Sequence, residues 1–308
     1  MTSKRLNGLV AATYTPLTAS GGLHLDVVPA LVDDLLAQGV TGMYVCGSTG
    51  EGMSLSSEER RRVTESYVAA ADGRIPVIVQ VGHNSVREAR DLAEHAQAAG
   101  ADIVSATCPS YFPINDAQTL VDCMNEIAGG APKLPFYYYH IPVLTGSKID
   151  IAEFMQIGGD AIANLVGLKY TDTRLHEYQH CSELQNGRFD VVWGCDEMML
   201  GALATGARSA IGSTYNIAAP LYNQLIEAFD SGDIKEARRL QSLSAQMIRT
   251  IGRYPFHAAM KAVLAMKGFE VGGCRLPQGR LSDEDSAKLR VELEGIGFFE
   301  WSRPAAMA

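Results

Sequence analysis

Lys169 closes the run Leu165-Val166-Gly167-Leu168-Lys169, and of the eight lysines in the chain it alone ends an apolar segment of this kind. An amine delivered into a dry pocket is driven toward its neutral form, which can attack a ketone carbonyl. A lysine at an arbitrary strand end more often keeps its head in water, so the case rests on what other segment ends supply. Tyr139 ends the run Phe136-Tyr137-Tyr138-Tyr139. Alternation lets Tyr137 and Tyr139 face inward together, and the second phenol lies nearest the loop, at the same rim as Lys169. The turn Gly47-Ser48-Thr49-Gly50-Glu51-Gly52 presents two hydroxyls and free amides suited to a carboxylate. It lacks the Gly-Lys-Ser/Thr ending of a nucleotide loop. Two more polar, tightly turned ends are Trp193-Gly194-Cys195-Asp196-Glu197 and Gly212-Ser213-Thr214-Tyr215-Asn216. In the first, the paired carboxylates would serve equally as helix caps.

These groups need a scaffold that brings distant segment ends to one place. Short runs rich in Val, Ile and Tyr recur at residues 9–15, 42–46, 76–81, 102–107, 135–139, 164–169, 189–193 and 207–211. Between them lie stretches of helical spacing, such as Val28, Leu31, Val32, Leu35 and Leu36, ending at Gly39. Ser56-x-x-Glu59 and Ser85-x-x-Glu88 read as capping boxes. Strand and helix alternating eight times predict an α/β fold, a (β/α)8 TIM barrel whose reactive groups sit at the strand C-terminal ends. A doubly wound sheet is the rival, but Thr15-Pro16-Leu17 after the first strand carries no G-x-G-x-x-G. Helical stretches at 233–252, 254–268 and 282–295 follow without a further strand. The expected organisation is a barrel over 1–230 and a C-terminal helical subdomain over 231–308 packed on it.

Composition narrows the class. A net charge of -9 leaves no basic face for nucleic acid, and Arg60-Arg61-Arg62 reads as a solvated helix face. The apolar runs are too short for a bilayer, so no membrane association is expected. Six cysteines without a C-x-x-C pair or an apolar leader point to reduced thiols in a cytoplasmic protein. His176-Glu177-Tyr178-Gln179-His180 satisfies the H-E-x-x-H zinc pattern. It falls in the helix after the lysine strand, on the outer ring of a barrel and without a third ligand at suitable spacing. The histidines are expected to face solvent, and no metal is expected.

Taken together, Gly47-Ser48-Thr49-Gly50-Glu51, Tyr139-His140-Ile141-Pro142, Gly167-Leu168-Lys169, Asp196-Glu197 and Gly212-Ser213-Thr214-Tyr215-Asn216 resemble the Schiff-base class I aldolases of the N-acetylneuraminate lyase and dihydrodipicolinate synthase family. The likeness covers essentially the whole chain and leans to the lyase branch. It implies an imine between Lys169 and the C2 ketone of pyruvate or open-chain sialic acid, with no cofactor. It implies that Ser48 and Thr49 hold the pyruvate carboxylate and that Tyr139 moves the C4 hydroxyl proton. Thr171, Gly194, Asp196, Glu197, Gly212 and Ser213 would then meet the sugar tail. Tyr111 would lie near a neighbouring subunit's site in a homotetramer. Lys261 and the turn Gly272-Gly273-Cys274-Arg275-Leu276-Pro277 fit the same general pattern.

Departures from the pattern concern substrate. Synthases of the family usually carry an arginine soon after the Y-x-x-P stretch, where this chain has Leu144. An apolar side chain cannot clamp a second carboxylate, which argues for a neutral sugar partner; the nearest rival is another pyruvate aldolase, acting on a 2-keto-3-deoxy sugar acid or making a dihydrodipicolinate precursor. His140 stands where many relatives have asparagine, and Ser110 where an aromatic is common. A silent binding barrel would typically have lost the lysine or the tyrosine, and both are present.

Overall fold

In the computed structural model, which describes residues 5–303, eight parallel strands close in sequence order into a barrel. They are β1 (Gly8–Ala12), β2 (Gly42–Val45), β3 (Val77–Gln80), β4 (Ile103–Ala106), β5 (Phe136–His140), β6 (Leu165–Tyr170), β7 (Asp190–Trp193) and β8 (Ser209–Gly212). All eight predicted runs became strands, with ends moved by at most three residues. The intervening helices are α1 (Val28–Ala37), α2 (Ser57–Ala71), α3 (Val86–Ala98), α4 (Ala117–Ala128), α5 (Pro142–Thr145), α6 (Ile151–Ala161), α7 (Leu175–Gly187), α8 (Met199–Ala204) and α9 (Tyr215–Asp230). Beyond them lie α10 (Ile234–Ile251), α11 (Phe256–Met266), α12 (Asp283–Gly295) and the short α13 (Phe298–Trp301). No helix among the described residues is long and apolar enough to cross a membrane.

Alternation along the strands divides the core in two. Met43, Val45, Val77, Val79, Phe136, Tyr138, Leu168 and Trp193 face the helices, while Val10, Tyr44, Ile78, Tyr137, Tyr139, Val192 and Ile211 fill the barrel interior. Each fully buried aliphatic or aromatic side chain contributes about 1.5–3 kcal/mol, so both layers are strong constraints on strand register.

One strand breaks the alternation. Phe136 pairs with Leu165 but Tyr137 pairs with Gly167, so β6 carries an extra residue opposite this step of β5. Leu165 faces the helices, Val166 the interior, and Leu168 and Tyr170 the helices again. The bulge reverses the phase of the strand, and Lys169 thereby points inward, paired with Tyr139 in register. Glycine is required at the bulge because a Cβ on Gly167 would strike the Asp190 carbonyl and the Tyr137 ring.

Local signals met mixed outcomes. Ser56 and Glu59 form the reciprocal capping box at α2. At α3, Ser85 accepts from the Glu88 amide, but the Glu88 carboxylate turns away to accept from Ser57 of α2 at 2.7 Å. The solvated reading of Arg60 is overturned: its side chain is buried and donates to the Gly82 and Gln80 carbonyls. Arg62 is exposed and Arg61 half-buried.

Candidate active site

Lys169 sits at the fifth position of β6 with only 4% of its surface exposed. Its Nζ lies 3.9 Å from the centre of the Tyr139 ring and 4.2 Å from that of Tyr44, the two rings meeting edge to face. The amine is therefore held between two aromatic walls, Tyr139 on the adjacent strand β5 and Tyr44 across the interior on β2, near the loop end of the barrel. Tyr44 was missed from the sequence, although its place in β2 follows from the same alternation that selected Tyr139. Its hydroxyl is engaged with Ser105 Oγ at 3.0 Å. Burial, reinforced by the neighbouring Tyr139, holds the Tyr44 phenol well above its ordinary range, so it stays neutral.

The β2 loop turns sharply above this pair. Cys46 and Glu51 both take left-handed backbone angles, φ 59° and 55°. A Cβ on Gly52 would collide with the Cys46 carbonyl. Thr15 Oγ1 donates to the Gly50 carbonyl at 2.6 Å, and Thr49 Oγ1 meets Ser213 Oγ at 2.7 Å. The last contact joins two of the predicted site loops directly. Thr49 is buried, and Ser48 and Ser213 are half-buried.

The polar ends of β6, β7 and β8 converge beside them. Asp196 Oδ2 accepts from the amide of Thr214 at 2.9 Å and from its hydroxyl at 2.6 Å, so this carboxylate braces the β8 loop instead of capping its own helical turn. Gly212 leaves room for it, since any Cβ there would overlap the carboxylate; Gly194 does the same for the Thr171 hydroxyl. Burial raises the Asp196 carboxyl above its usual range, opposed by the two Thr214 hydrogen bonds and assisted by the charge of Glu197. Asp196 Oδ1 and Thr171 Oγ1 are buried without a partner. Buried polar atoms are rarely left so; the Tyr215 hydroxyl also acts on the Asp196 carboxylate, opposing the rise in its pKa. Glu197 is exposed at the rim, its carbonyl accepting from Gln241 at 3.0 Å.

Tyr111 stands apart from this cluster. It is 78% exposed, edge to face with Phe112 at 5.0 Å, and its amide is tied to Asn84 Oδ1 at 3.1 Å. Within one chain it does not join Tyr139.

The zinc pattern places His176 and His180 in solvent on α7. Its glutamate takes part in another cluster: His140, Asp172 and Glu177 bring potential ligand atoms within 4.8 Å of one another. The position a cation would take is served by Arg174, which pairs with Asp172 and Glu177 at 3.0 Å each, while the Tyr170 hydroxyl donates to Glu177 at 2.6 Å. Burial holds the His140 imidazole neutral down to about pH 4, with Asp172 working against the shift and Arg174 with it. The unfolded side chain titrates near 6.5, so between these values the unfolded chain carries the extra proton. The contribution is complete above about pH 6.5 and lost as the pH falls toward 4, amounting to about 3 kcal/mol in all. Melting curves between pH 7.5 and pH 5 are expected to show a shallower fall for His140→Asn than for the parent; parallel curves would contradict this assignment.

Residues 5–296 match the dihydrodipicolinate synthetase family. The chain is 38% identical over 300 residues to the N-acetylneuraminate lyase of Mus musculus, covering 96% of this chain and 94% of the mouse protein. Among solved structures, the N-acetylneuraminate lyase of Proteus mirabilis superposes with a TM-score of 0.94 at 37% identity, covering 96% of this chain and all of that one. A dihydrodipicolinate synthase of Bacillus anthracis gives 0.87 at 27% identity, covering 94% and 97%. The barrel, the inward lysine and these likenesses agree: the chain belongs to the dihydrodipicolinate synthetase family.

Proposed function

We propose that this protein is a Schiff-base aldolase that cleaves N-acetylneuraminate reversibly to pyruvate and N-acetylmannosamine. The observation that carries the reading is Lys169 Nζ held 3.9 Å from the Tyr139 ring inside the barrel mouth, beside the Ser48-Thr49 loop. The Lys169 amine adds to the C2 carbonyl of the open-chain sugar acid, and loss of water gives a protonated imine. Ser48, Thr49 and their loop amides hold the adjacent carboxylate. Tyr139 relays the proton lost from the C4 hydroxyl while the C3 to C4 bond breaks, and the bonding pair moves into the iminium to give an enamine. The aldehyde N-acetylmannosamine departs. Protonation of the enamine at C3 and hydrolysis release pyruvate and restore the amine.

Thr171 and Asp196, with their free buried oxygens, receive hydroxyls of the sugar tail, and Gly194, Glu197, Gly212 and Ser213 complete that wall. Leu144, 60% exposed on α5, leaves the partner pocket without a cationic clamp. Leu144→Arg is expected to raise KM for N-acetylneuraminate roughly tenfold while favouring carboxylate-bearing aldehydes in condensation. An unchanged preference across a panel of neutral and acidic aldehydes would rule out position 144 as a selector.

Tyr111 and Phe112, with Val143 83% exposed and Leu144, form an apolar rim that suits assembly into a homotetramer, in which Tyr111 of a neighbouring copy is the next group in the proton relay. The residues after 230 act as a helical subdomain packed on the barrel. Six free thiols, four of them buried, suit a reducing, cytoplasmic setting. Steady-state release of pyruvate from N-acetylneuraminate in a coupled assay tests the proposal; protein that forms the pyruvate imine yet does not cleave the sugar would sink the substrate assignment.

A further inference from the structure

Glu51, two residues past Thr49, is buried in the loop that the proposed function assigns to the substrate carboxylate. Its Oε1 accepts from Lys261 Nζ at 2.6 Å and its Oε2 from the Arg275 amide at 2.7 Å. Both charged side chains are essentially inaccessible, at 1% and 0% exposure. Lys261 comes from α11, and its ammonium also donates to the Gly273 carbonyl at 2.7 Å. Arg275 continues the connection by pairing with Glu59 on α2 and by donating from Nη2 to the Gly21 carbonyl at 2.7 Å. The stretch before it is itself anchored to the β1 loop, where the Leu17 amide donates to the Val271 carbonyl at 3.0 Å.

A buried ion pair is a poor source of net stability, because desolvation consumes most of the attraction. What it supplies is geometry. Glu51 occupies a left-handed backbone position, φ 55°, with its amide bonded back to the Ser48 carbonyl at 3.1 Å. Fixing its carboxylate from two sides fixes the turn that carries Ser48 and Thr49. We infer that the Glu51–Lys261 pair is a positioning device through which the C-terminal helices set the keto-acid carboxylate site. Neither side chain touches the substrate. The inference rests on the reading of Ser48 and Thr49 as the carboxylate holders.

A carboxylate held equally in ground and transition states affects KM and leaves kcat nearly untouched. The test is condensation of pyruvate with N-acetylmannosamine by the full-length protein and by the double variant Glu51→Leu/Lys261→Met, which removes both charges together and so avoids leaving one buried alone. The expected result is a KM for pyruvate raised at least about tenfold, with KM for N-acetylmannosamine, kcat and the melting temperature near those of the parent. Glu51→Gln/Lys261→Met keeps an acceptor for the Arg275 amide without leaving the ammonium buried alone, and is expected to retain most of the pyruvate affinity. Two outcomes overturn the inference: an unchanged KM for pyruvate, or losses that fall equally on both substrates and track a lowered melting temperature, as an ordinary structural role would give. Borohydride trapping of pyruvate by the parent separates the two levels. A parent that traps no pyruvate removes the carboxylate-site reading and this inference with it, whereas trapping with half-saturation equal in parent and double variant removes the inference alone.

Discussion

Lys169→Ala is expected to reduce cleavage of N-acetylneuraminate by on the order of 10⁵-fold, because among the described residues no other amine lies on the barrel interior to form the imine that makes C3 a leaving carbanion equivalent. The loss should fall on kcat. Folding should survive: the substitution removes an amine chain from between two aromatic rings at the open end of the barrel, where Tyr44 and Tyr139 already pack edge to face at 5.6 Å. The melting temperature is therefore expected to stay within a few degrees of the parent. A variant that keeps a hundredth or more of parental kcat would show that the chemistry does not pass through this amine.

Tyr139→Phe separates proton transfer from imine formation. The ring that walls Lys169 is retained, together with its place in the register opposite Lys169, and only the hydroxyl is lost. Cleavage is expected to fall by about 10²–10⁴-fold, the usual range for removal of a positioned proton-transfer group, while borohydride trapping of pyruvate on Lys169 persists at comparable half-saturation. Loss of trapping in the phenylalanine variant would assign the hydroxyl to imine formation instead of carbon–carbon cleavage.

Much of this site was legible because parallel strands covered on both faces read as short apolar runs, and the residue that ends each run lies at the rim. That logic found Lys169, Tyr139 and the loops at 47–52, 194–197 and 212–216. What it could not supply was the phase of β6. Strict alternation from Leu165 would send Lys169 toward the helices, and only the extra residue opposite Phe136 and Tyr137 turns it inward. A bulge leaves no mark on hydrophobic period beyond the glycine it needs. Arg60 was misread for a different reason. The three arginines were taken together as one charged face, whereas Arg60, Val63, Thr64 and Tyr67 share the i, i+3, i+4, i+7 face of α2 and are buried together. Glu51 was read as part of a turn, and its partner lies 210 residues away on α11, a distance over which spacing carries no information. Tyr111 lies at the surface of the single chain, where alternation and strand ends do not reach it.

The central claim is a covalent one, a keto acid bound through nitrogen at a single lysine. Its most direct measurement is borohydride reduction in the presence of pyruvate, followed by peptide mass mapping of the parent and of Lys169→Ala. The account predicts one pyruvate-derived adduct, located on Lys169 and absent from the variant. An unmodified Lys169 peptide, or an adduct that persists on another lysine in the variant, would contradict it.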